Sequence, residues 1–218
     1  MKFHILTIFP NIFESYFNES IIRRAQEKKL IDIKTYNLRD FTEDRHKKVD
    51  DSPYGGGPGM VLKIEPIQKA VGSILGNPKS EIRNPKNTRI ILFSTRGKKL
   101  DQKKAQKLAK YDNLILICGR YEGVDERVAK YIADEEISIG DFILSGGELP
   151  AMILVDAVAR FVPGVLGKKE SLETIKGSYP VYTRPENFEI DGKNRSVPKT
   201  LTSGNHQKID IWRKKFYK

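Results

Sequence analysis

Residues 114–127 read LILICGRYEGVDER, and residues 136–150 read EISIGDFILSGGELP. Each stretch is a short apolar run that passes directly into a glycine-containing loop. A continuous apolar run before glycine predicts a strand buried on both faces, as in parallel sheets. Glycine at the end of such a strand lets backbone amides and carbonyls approach a ligand closely. The two loops are therefore predicted to form walls of one small-molecule pocket.

The glycine spacing in these loops excludes two common phosphate-binding motifs. Neither loop has the GxGxxG dinucleotide fingerprint, and neither ends in the Gly-Lys-Ser/Thr of a phosphate loop. The sequence favours a small cofactor held by strand-end loops over a nucleotide held by its phosphates.

Strand and helix patterns alternate along the rest of the first three quarters of the chain. Further strands are predicted at residues 2–9, 31–37 and 88–93, and a helix from Ile12 carries an apolar face through Ile22. Other helices are predicted from Glu65–Pro66 to about Leu75, from the Asp101 cap through Lys110, at 124–131, and from Pro150 to about Pro163. The β-α-β opening predicts a parallel pair with a right-handed crossover, and thus an α/β fold.

Composition sets the class of protein. The 218 residues suit one medium domain, or one domain with a small appendix, and 39% hydrophobic residues are enough for a packed core. The formal net charge of +11 favours a polyanionic partner, although a lysine-rich proteome explains it equally well.

Cysteine, histidine and hydropathy patterns point to a soluble cytoplasmic protein. Cys118 is the only cysteine and lies in an apolar run, which predicts a core residue in a reducing compartment. His4, His46 and His206 have no metal-ligand spacing. No apolar run reaches membrane-spanning length, and the first residues lack the long apolar stretch of a signal peptide.

Residues 38–59 form an unusually long polar segment that ends in three consecutive glycines. Long loops inside a compact domain are often functional. We interpret this one as a surface for a phosphate backbone, with a plain surface linker as the alternative. Residues 76–87 are predicted to be a surface excursion, and the last helix is predicted to begin near residues 203–205.

Eight motifs, taken in order, resemble the bacterial tRNA (guanine-N1)-methyltransferases of the SPOUT superfamily. They are residues 7–10 (TIFP), 54–60 (YGGGPGM), 118–123 (CGRYEG), 138–141 (SIGD), 144–148 (LSGGE), 160–167 (RFVPGVLG), 182–186 (YTRPE) and 203–206 (SGNH). Any one of these motifs is a weak signal, but together they span nearly the whole chain.

The resemblance implies an activity and an assembly. The family transfers a methyl group from S-adenosylmethionine to N1 of the guanosine just 3′ of the anticodon of tRNA. It implies a parallel α/β sheet with a deep trefoil knot, a homodimer with shared active sites, and magnesium dependence. It also implies three regions: a cofactor-binding domain at residues 1–166, a linker at 167–177, and a small helical tRNA-binding domain at 178–218.

The resemblance also assigns the cofactor site. The expected cofactor-binding residues are Phe93, Ser94, Gly119, Tyr121, Glu122, Gly123, Ser138, Ile139, Gly140, Asp141, Phe142, Ile143, Leu144, Gly146 and Gly147. Backbone groups would bind the adenine, and a carboxylate such as Glu122 would favour the cationic sulfonium. For Ile139, Ile143 and Leu144, an ordinary core position is the alternative. The chain departs from the family at Thr95-Arg96, where Pro-Gln is usual.

Two further residues are expected to carry the chemistry. The family places a general base in the linker, and that position aligns with Glu170, with Glu173 as the alternative. N1 of neutral guanine carries a proton, so methylation needs a base for that proton and a cation for the charge on O6. We assign these roles to Glu170 and Arg160, respectively.

The remaining expected contacts are to tRNA phosphates, and they predict strongly salt-dependent binding. The candidates are Arg45, Lys47, Lys48, Gly55, Gly56, Gly57, Arg184, Ser203, Asn205, Arg213 and Lys214. Two other functions fit the same sequence less well: an RNA-binding accessory protein without catalysis, and a ribose 2′-O-methyltransferase of the same superfamily.

Overall fold

A computed structural model of the chain describes residues 1–76, 87–167 and 179–216. The chain divides into two compact units, residues 1–166 and residues 167–218. Most of the predicted surface excursion at 76–87 and nearly all of the predicted linker lie outside the described residues.

The first unit is organised around a five-stranded parallel sheet. Its strands are β1 (Lys2–Thr7), β2 (Asp32–Asn37), β5 (Thr88–Lys99), β6 (Asn113–Ile117) and β7 (Glu135–Ser138), in the order β2-β1-β6-β5-β7. Two short strands, β3 (Asp50–Asp51) and β4 (Val61–Leu62), form a separate antiparallel pair. The parallel sheet confirms the predicted α/β fold and the parallel pairing of its first two strands.

Helices pack on both faces of this sheet. They are α1 (Glu14–Phe17), α2 (Ser20–Glu27), α3 (Ile64–Ile74), α4 (Gln102–Leu108), α5 (Glu126–Tyr131) and α6 (Glu148–Ala159). Alternate residues of β6 enter different cores. Leu114 and Leu116 pack with α4 and α6, whereas Ile115 and Ile117 pack with α3 and α5. All four side chains are fully buried, which is why this run contains no polar residue.

The predictions for α3 and α4 are confirmed. Glu65 and Pro66 lie in the first turn of α3. Asp101 caps α4, and its carboxylate accepts a hydrogen bond from the backbone N–H of Lys104 at 2.7 Å.

The prediction of one helix from Ile12 is wrong. The segment forms a 3₁₀ helix at Pro10–Phe13, followed by α1 and then α2. The helix is interrupted at Ser20, because its φ of 51° lies outside the right-handed helical region. Gln26 donates a side-chain hydrogen bond to the carbonyl of Phe17 and so satisfies part of the exposed end of α1. The apolar residues of the predicted face are still largely buried. Their spacing therefore predicted correctly which side chains are buried, but it did not predict that the helix is interrupted.

The third long strand extends beyond its predicted end at Phe93. Ile137 of β7 is the register partner of both Phe93 and Lys98 of β5. The segment between these two residues therefore passes across β7. A Cβ atom on Gly97 would lie 2.5 Å from the backbone nitrogen of Ile137, so only glycine fits at this crossing.

The second unit contains a hairpin and two helices. Strands β8 (Asn187–Ile190) and β9 (Lys193–Ser196) pair in antiparallel fashion around Asp191 and Gly192, both of which have positive φ. Helices α7 (Lys199–Thr202) and α8 (His206–Lys214) follow. Asn205 caps α8, so the last helix begins near residues 203–205, as predicted. None of the helices in the described ranges is long and apolar enough to cross a membrane.

Candidate active site

A cavity of about 600 Å³ lies between the middle of β5 and the carboxyl ends of β6 and β7. Its walls are the crossing segment of β5 (residues 92–96), the loop after β6 (119–124) and the loop after β7 (residues 139–147). Ligands of open α/β sheets commonly bind at this edge, where loops from neighbouring strands converge. The two loops predicted from sequence to share one pocket do so.

Fourteen of the fifteen expected cofactor-binding residues line this cavity: Phe93, Ser94, Gly119, Tyr121, Glu122, Gly123, Ser138, Ile139, Gly140, Phe142, Ile143, Leu144, Gly146 and Gly147. Asp141 is the exception, and its carboxylate forms an ion pair with Lys99. The side chain of Ile143 is 87% exposed, so an ordinary core position does not explain it.

Glycine is required in the cavity wall because the two loops touch each other. The backbone N–H of Gly147 donates to the carbonyl of Gly119 at 2.9 Å. A Cβ atom on Gly147 would lie 2.6 Å from the Cα atom of Cys118. Any side chain at residue 147 would therefore separate the loop after β7 from the end of β6.

A buried ion pair behind the cavity was not predicted from sequence. Glu148 is 1% exposed and accepts hydrogen bonds from the Thr7 hydroxyl at 2.7 Å and from Nε of Arg120 at 2.8 Å. Arg120 also donates to the carbonyl of Ser145 at 3.2 Å and stacks over the ring of Phe9 at 4.7 Å. These contacts join the ends of β1 and β6 to the loop after β7. Glu148 lies in the first turn of the otherwise apolar α6, and this position was the feature of the sequence that could have indicated the ion pair.

The same ion pair affects the neighbouring thiol. Burial, with a smaller effect from the nearby Glu148 carboxylate, raises the pKa of Cys118 well above its usual value. A buried thiol of high pKa is neutral and unreactive. Cys118 is therefore a core residue, as predicted.

Three carboxylates line the cavity together with Arg96. Arg96 donates to Glu126 at 2.6 Å, and its guanidinium lies 3.6 Å from Oε1 of Glu136. The hydrogen bond and charge of Arg96 lower the pKa of Glu126. The third carboxylate belongs to Glu122. The backbone of this residue is held by a hydrogen bond from its N–H to the carbonyl of Met60 at 3.0 Å, directly after the glycine-rich loop at residues 54–59.

The glycine-rich loop at 54–59 is open. Gly55, Gly56 and Gly57 all have positive φ, and a Cβ atom on any of them would meet no heavy atom of the described residues within 4 Å. Tyr54 is fully exposed at its start. The end of the loop is attached to the cavity wall, because Leu62 of β4 exchanges backbone hydrogen bonds with Gly123 and Asp125.

The expected phosphate contacts are distributed over both units. Arg45, Lys47 and Lys48 are exposed in the first unit, and Arg184 and Lys214 are exposed in the second. Arg213 lies over the ring of Tyr179 and forms an ion pair with Asp210.

Ser203 and Asn205 have structural partners. The side chain of Asn205 accepts from the N–H of Lys208, and the hydroxyl of Ser203 accepts from the N–H of Asn205. Local capping is therefore sufficient to explain both residues.

The expected catalytic residues are not assembled within the described part of one chain. Arg160 caps the carboxyl end of α6, about 18 Å along the helix from Glu148 at the cavity end, from a rise of about 1.5 Å per residue. It does not line the cavity. Glu170 and Glu173 lie outside the described residues.

The described residues contain no group of three or more His, Cys, Asp or Glu side chains that could hold a metal ion.

Comparisons with known proteins agree on one family. The family model described as tRNA (Guanine-1)-methyltransferase TrmD matches residues 1–218. A protein of Carboxydothermus hydrogenoformans named tRNA (guanine-N(1)-)-methyltransferase is 53% identical, over 99% of this chain and 82% of the relative. A protein of the same name from Clostridioides difficile is 47% identical, over 98% and 91%. A crystal structure of a tRNA (m1G37) methyltransferase from Aquifex aeolicus aligns with a TM-score of 0.78 at 43% identity, over 97% of this chain and 87% of that one.

Proposed function

The chain belongs to the tRNA (guanine-1)-methyltransferase family, and from that premise we propose that it methylates N1 of the guanosine just 3′ of the anticodon, using S-adenosylmethionine. It is an enzyme of the tRNA (guanine-N1)-methyltransferase class. The observation that carries the finer proposal is the cavity between the middle of β5 and the carboxyl ends of β6 and β7. A tRNA substrate agrees with the expected cytoplasmic location.

The cavity suits the proposed methyl donor in size and chemistry. Its volume of about 600 Å³ lies within the range of small-molecule sites. Among the described residues, Oε1 of Glu136 is buried without a hydrogen-bond partner, so an N–H or O–H group of a bound ligand would satisfy it. The donor supplies a methyl group bonded to a positively charged sulfur. Glu122 and the neighbouring carboxylates would stabilise that charge.

We propose that the first unit is knotted. The passage of β5 across β7 at Gly97 supports this, because a knot requires one segment of the chain to cross another. The knot would hold the two cavity loops against each other through chain topology as well as through the bond between Gly147 and Gly119.

The proposed chemistry uses one acid and one cation. Glu170, with Glu173 as the alternative, accepts the proton of guanine N1. The freed lone pair of N1 then forms a bond to the methyl carbon while the bond from that carbon to sulfur breaks. Arg160 stabilises the negative charge that develops on O6 as the proton leaves.

The position of Arg160 supports a homodimer with shared sites. Since Arg160 lies about 18 Å from the cavity end of its own helix, the Arg160 that serves a cavity is proposed to come from a second copy of the chain. An exposed apolar face supports this proposal. Large apolar side chains that are 40–50% exposed lie on the segment after β1 and on α6: Phe9, Ile12, Tyr16, Leu149 and Ile153. Apolar side chains grouped in this way mark an interaction surface.

We propose that tRNA is held by exposed basic groups and by the open glycine-rich loop. Arg45, Lys47 and Lys48 would contact phosphates from the first unit, and Arg184, Arg213 and Lys214 would contact them from the second unit, which serves as the small tRNA-binding domain. The charge of +11 supports a polyanionic substrate. A guanine that leaves its stack would enter the cavity of the first unit.

Mapping the methylated atom tests this proposal. The purified chain is incubated with unmodified tRNA and labelled S-adenosylmethionine, and the product is digested to nucleosides and identified by mass spectrometry. We expect 1-methylguanosine next to the anticodon. Detection of a 2′-O-methylated nucleoside would contradict the proposal and indicate ribose methylation. If calorimetry detects no binding of S-adenosylmethionine, the result would indicate a non-catalytic RNA-binding protein.

Two matched variants test the base. We expect Glu170→Gln to reduce the single-turnover rate by about a hundredfold or more, a typical contribution of a general base, with donor binding retained. Glu173→Gln is expected to keep near-full turnover. The opposite result would move the base to Glu173.

A further inference from the structure

We infer that Arg96 determines how strongly the cavity prefers the positively charged methyl donor over its neutral product. This inference rests on the proposed function. By partly neutralising Glu126 and Glu136, Arg96 limits the preference for S-adenosylmethionine over S-adenosylhomocysteine.

The geometry connects Arg96 to both carboxylates. Arg96 lies on the crossing segment of β5, and all three residues line the cavity. One guanidinium nitrogen is 2.6 Å from Oε2 of Glu126 and 3.6 Å from Oε1 of Glu136. The first contact is a charge-assisted hydrogen bond, and the second is an ion pair too long for a hydrogen bond.

Arg96 is the cation that offsets the acids of the cavity wall. The charged side chains that line the cavity are Arg96, Arg120, Glu122, Glu126 and Glu136. Arg120 is already paired with Glu148, which lies behind the wall. Among the described residues that line the cavity, Arg96 is therefore the only cation paired with lining carboxylates, namely Glu126 and Glu136.

The cavity is small enough for the charge of Arg96 to act across much of its width. A sphere of 600 Å³ is about 10 Å across, which is close to the screening length of about 8 Å at physiological ionic strength. The donor and its product differ by one methyl group and by the positive charge on sulfur. A more negative wall therefore strengthens donor binding and leaves product binding nearly unchanged.

Calorimetry on the full chain tests this inference. Dissociation constants for S-adenosylmethionine and S-adenosylhomocysteine are measured for the unaltered chain and for Arg96→Gln. The measured quantity is the product constant divided by the donor constant. We expect Arg96→Gln to raise this ratio by about fivefold at low salt, as for one charge at about 10 Å in a partly aqueous medium. The increase should diminish at high salt.

Two control variants separate the charge of Arg96 from other effects. Arg96→Lys retains the charge and should keep the ratio of the unaltered chain. Lys98→Gln removes an exposed charge from the same strand outside the cavity and should also leave the ratio unchanged.

Failure of the inference is distinguishable from failure of the proposed function. If the unaltered chain binds the donor but Arg96→Gln leaves the ratio unchanged, or weakens both ligands equally, the inference is overturned. If the unaltered chain binds neither ligand, the proposed function itself is overturned.

Discussion

Two glycine clusters in this chain resemble each other in sequence and differ in what the structure requires of them. Gly119, Gly140, Gly146 and Gly147 line the cavity, and an added Cβ atom would contact neighbouring atoms at each of them; Gly123 also lines the cavity but has a φ of 142° and open space, so it is not part of this cluster. Gly55, Gly56 and Gly57 have positive φ, and no described atom lies near the position of an added Cβ. The first cluster needs glycine for space, and the second needs it for backbone conformation.

This difference assigns different tasks to the two clusters. A closely packed wall is fixed before a ligand arrives, so it suits a small cofactor of constant shape. An open loop with room around its glycines suits a large partner that arrives from solvent. The difference also predicts different consequences of the same glycine-to-alanine change.

The largest effect is expected for Gly147→Ala. Its Cβ atom would lie 2.6 Å from Cα of Cys118, which is backbone and cannot rotate away. We expect donor affinity to fall at least a hundredfold and the free energy of unfolding to fall by about 1–3 kcal/mol, the usual range for overpacking. Calorimetry and urea unfolding measure the two quantities.

Gly167→Ala is the matched control, since Gly167 has ordinary φ and open space among the described residues. It should change neither quantity measurably. Normal donor affinity in Gly147→Ala would show that the packed wall is not part of the donor site.

The second largest effect is expected for Glu148→Gln. This change leaves the guanidinium of Arg120, whose side chain is 20% exposed, without its counter-charge. Removing one partner of a largely buried pair costs about 3 kcal/mol in the free energy of unfolding, measurable by urea titration.

The double variant Arg120→Gln, Glu148→Gln removes both charges and should recover part of that loss. If the double variant is as unstable as the sum of the two single variants, the ion pair does not couple the loops.

A smaller and more selective effect is expected for Gly56→Ala. Its φ of 78° disfavours alanine by about 1–2 kcal/mol, although space is open. We expect KM for tRNA to rise by about five- to tenfold while the calorimetric donor affinity stays unchanged. A parallel loss of donor affinity would contradict the separation of the two clusters.

The smallest effect is expected for Lys48→Gln, in the exposed basic segment that precedes the glycine-rich loop. Removal of one phosphate contact should weaken tRNA binding by about two- to threefold at moderate salt. It should also reduce the slope of log affinity against log salt by about one. An unchanged slope would remove Lys48 from the RNA surface.

Sequence patterns predicted β6 closely, because a strand buried on both faces is apolar at successive positions, but they ended β5 at Phe93 instead of Lys99. The run at β6 is apolar at every position from Leu114 to Cys118, and no helix of that length competes with a strand. The α/β class and the family were likewise accessible from sequence. The resemblance also selected residues that the fold brings to one cavity, although their contacts with a donor stay a prediction.

Other features depended on long-range geometry that local patterns do not contain. The break at Ser20 and the passage of β5 across β7 at Gly97 are set by distant packing. The partnership of Thr7, Arg120 and Glu148 joins residues 141 and 28 positions apart. The hairpin of β8 and β9 could have been predicted from sequence, because Asp191-Gly192 is a strong local signal for a hairpin turn.

The most direct test of the account is a crystal structure of the chain soaked with S-adenosylmethionine. The account predicts donor density in the cavity, with backbone contacts to the loop after β6 and the loop after β7 and with its sulfur facing the carboxylates of the wall. Donor density elsewhere on the molecule, or a cavity that stays empty and too narrow to admit it at saturating concentration, would contradict the account.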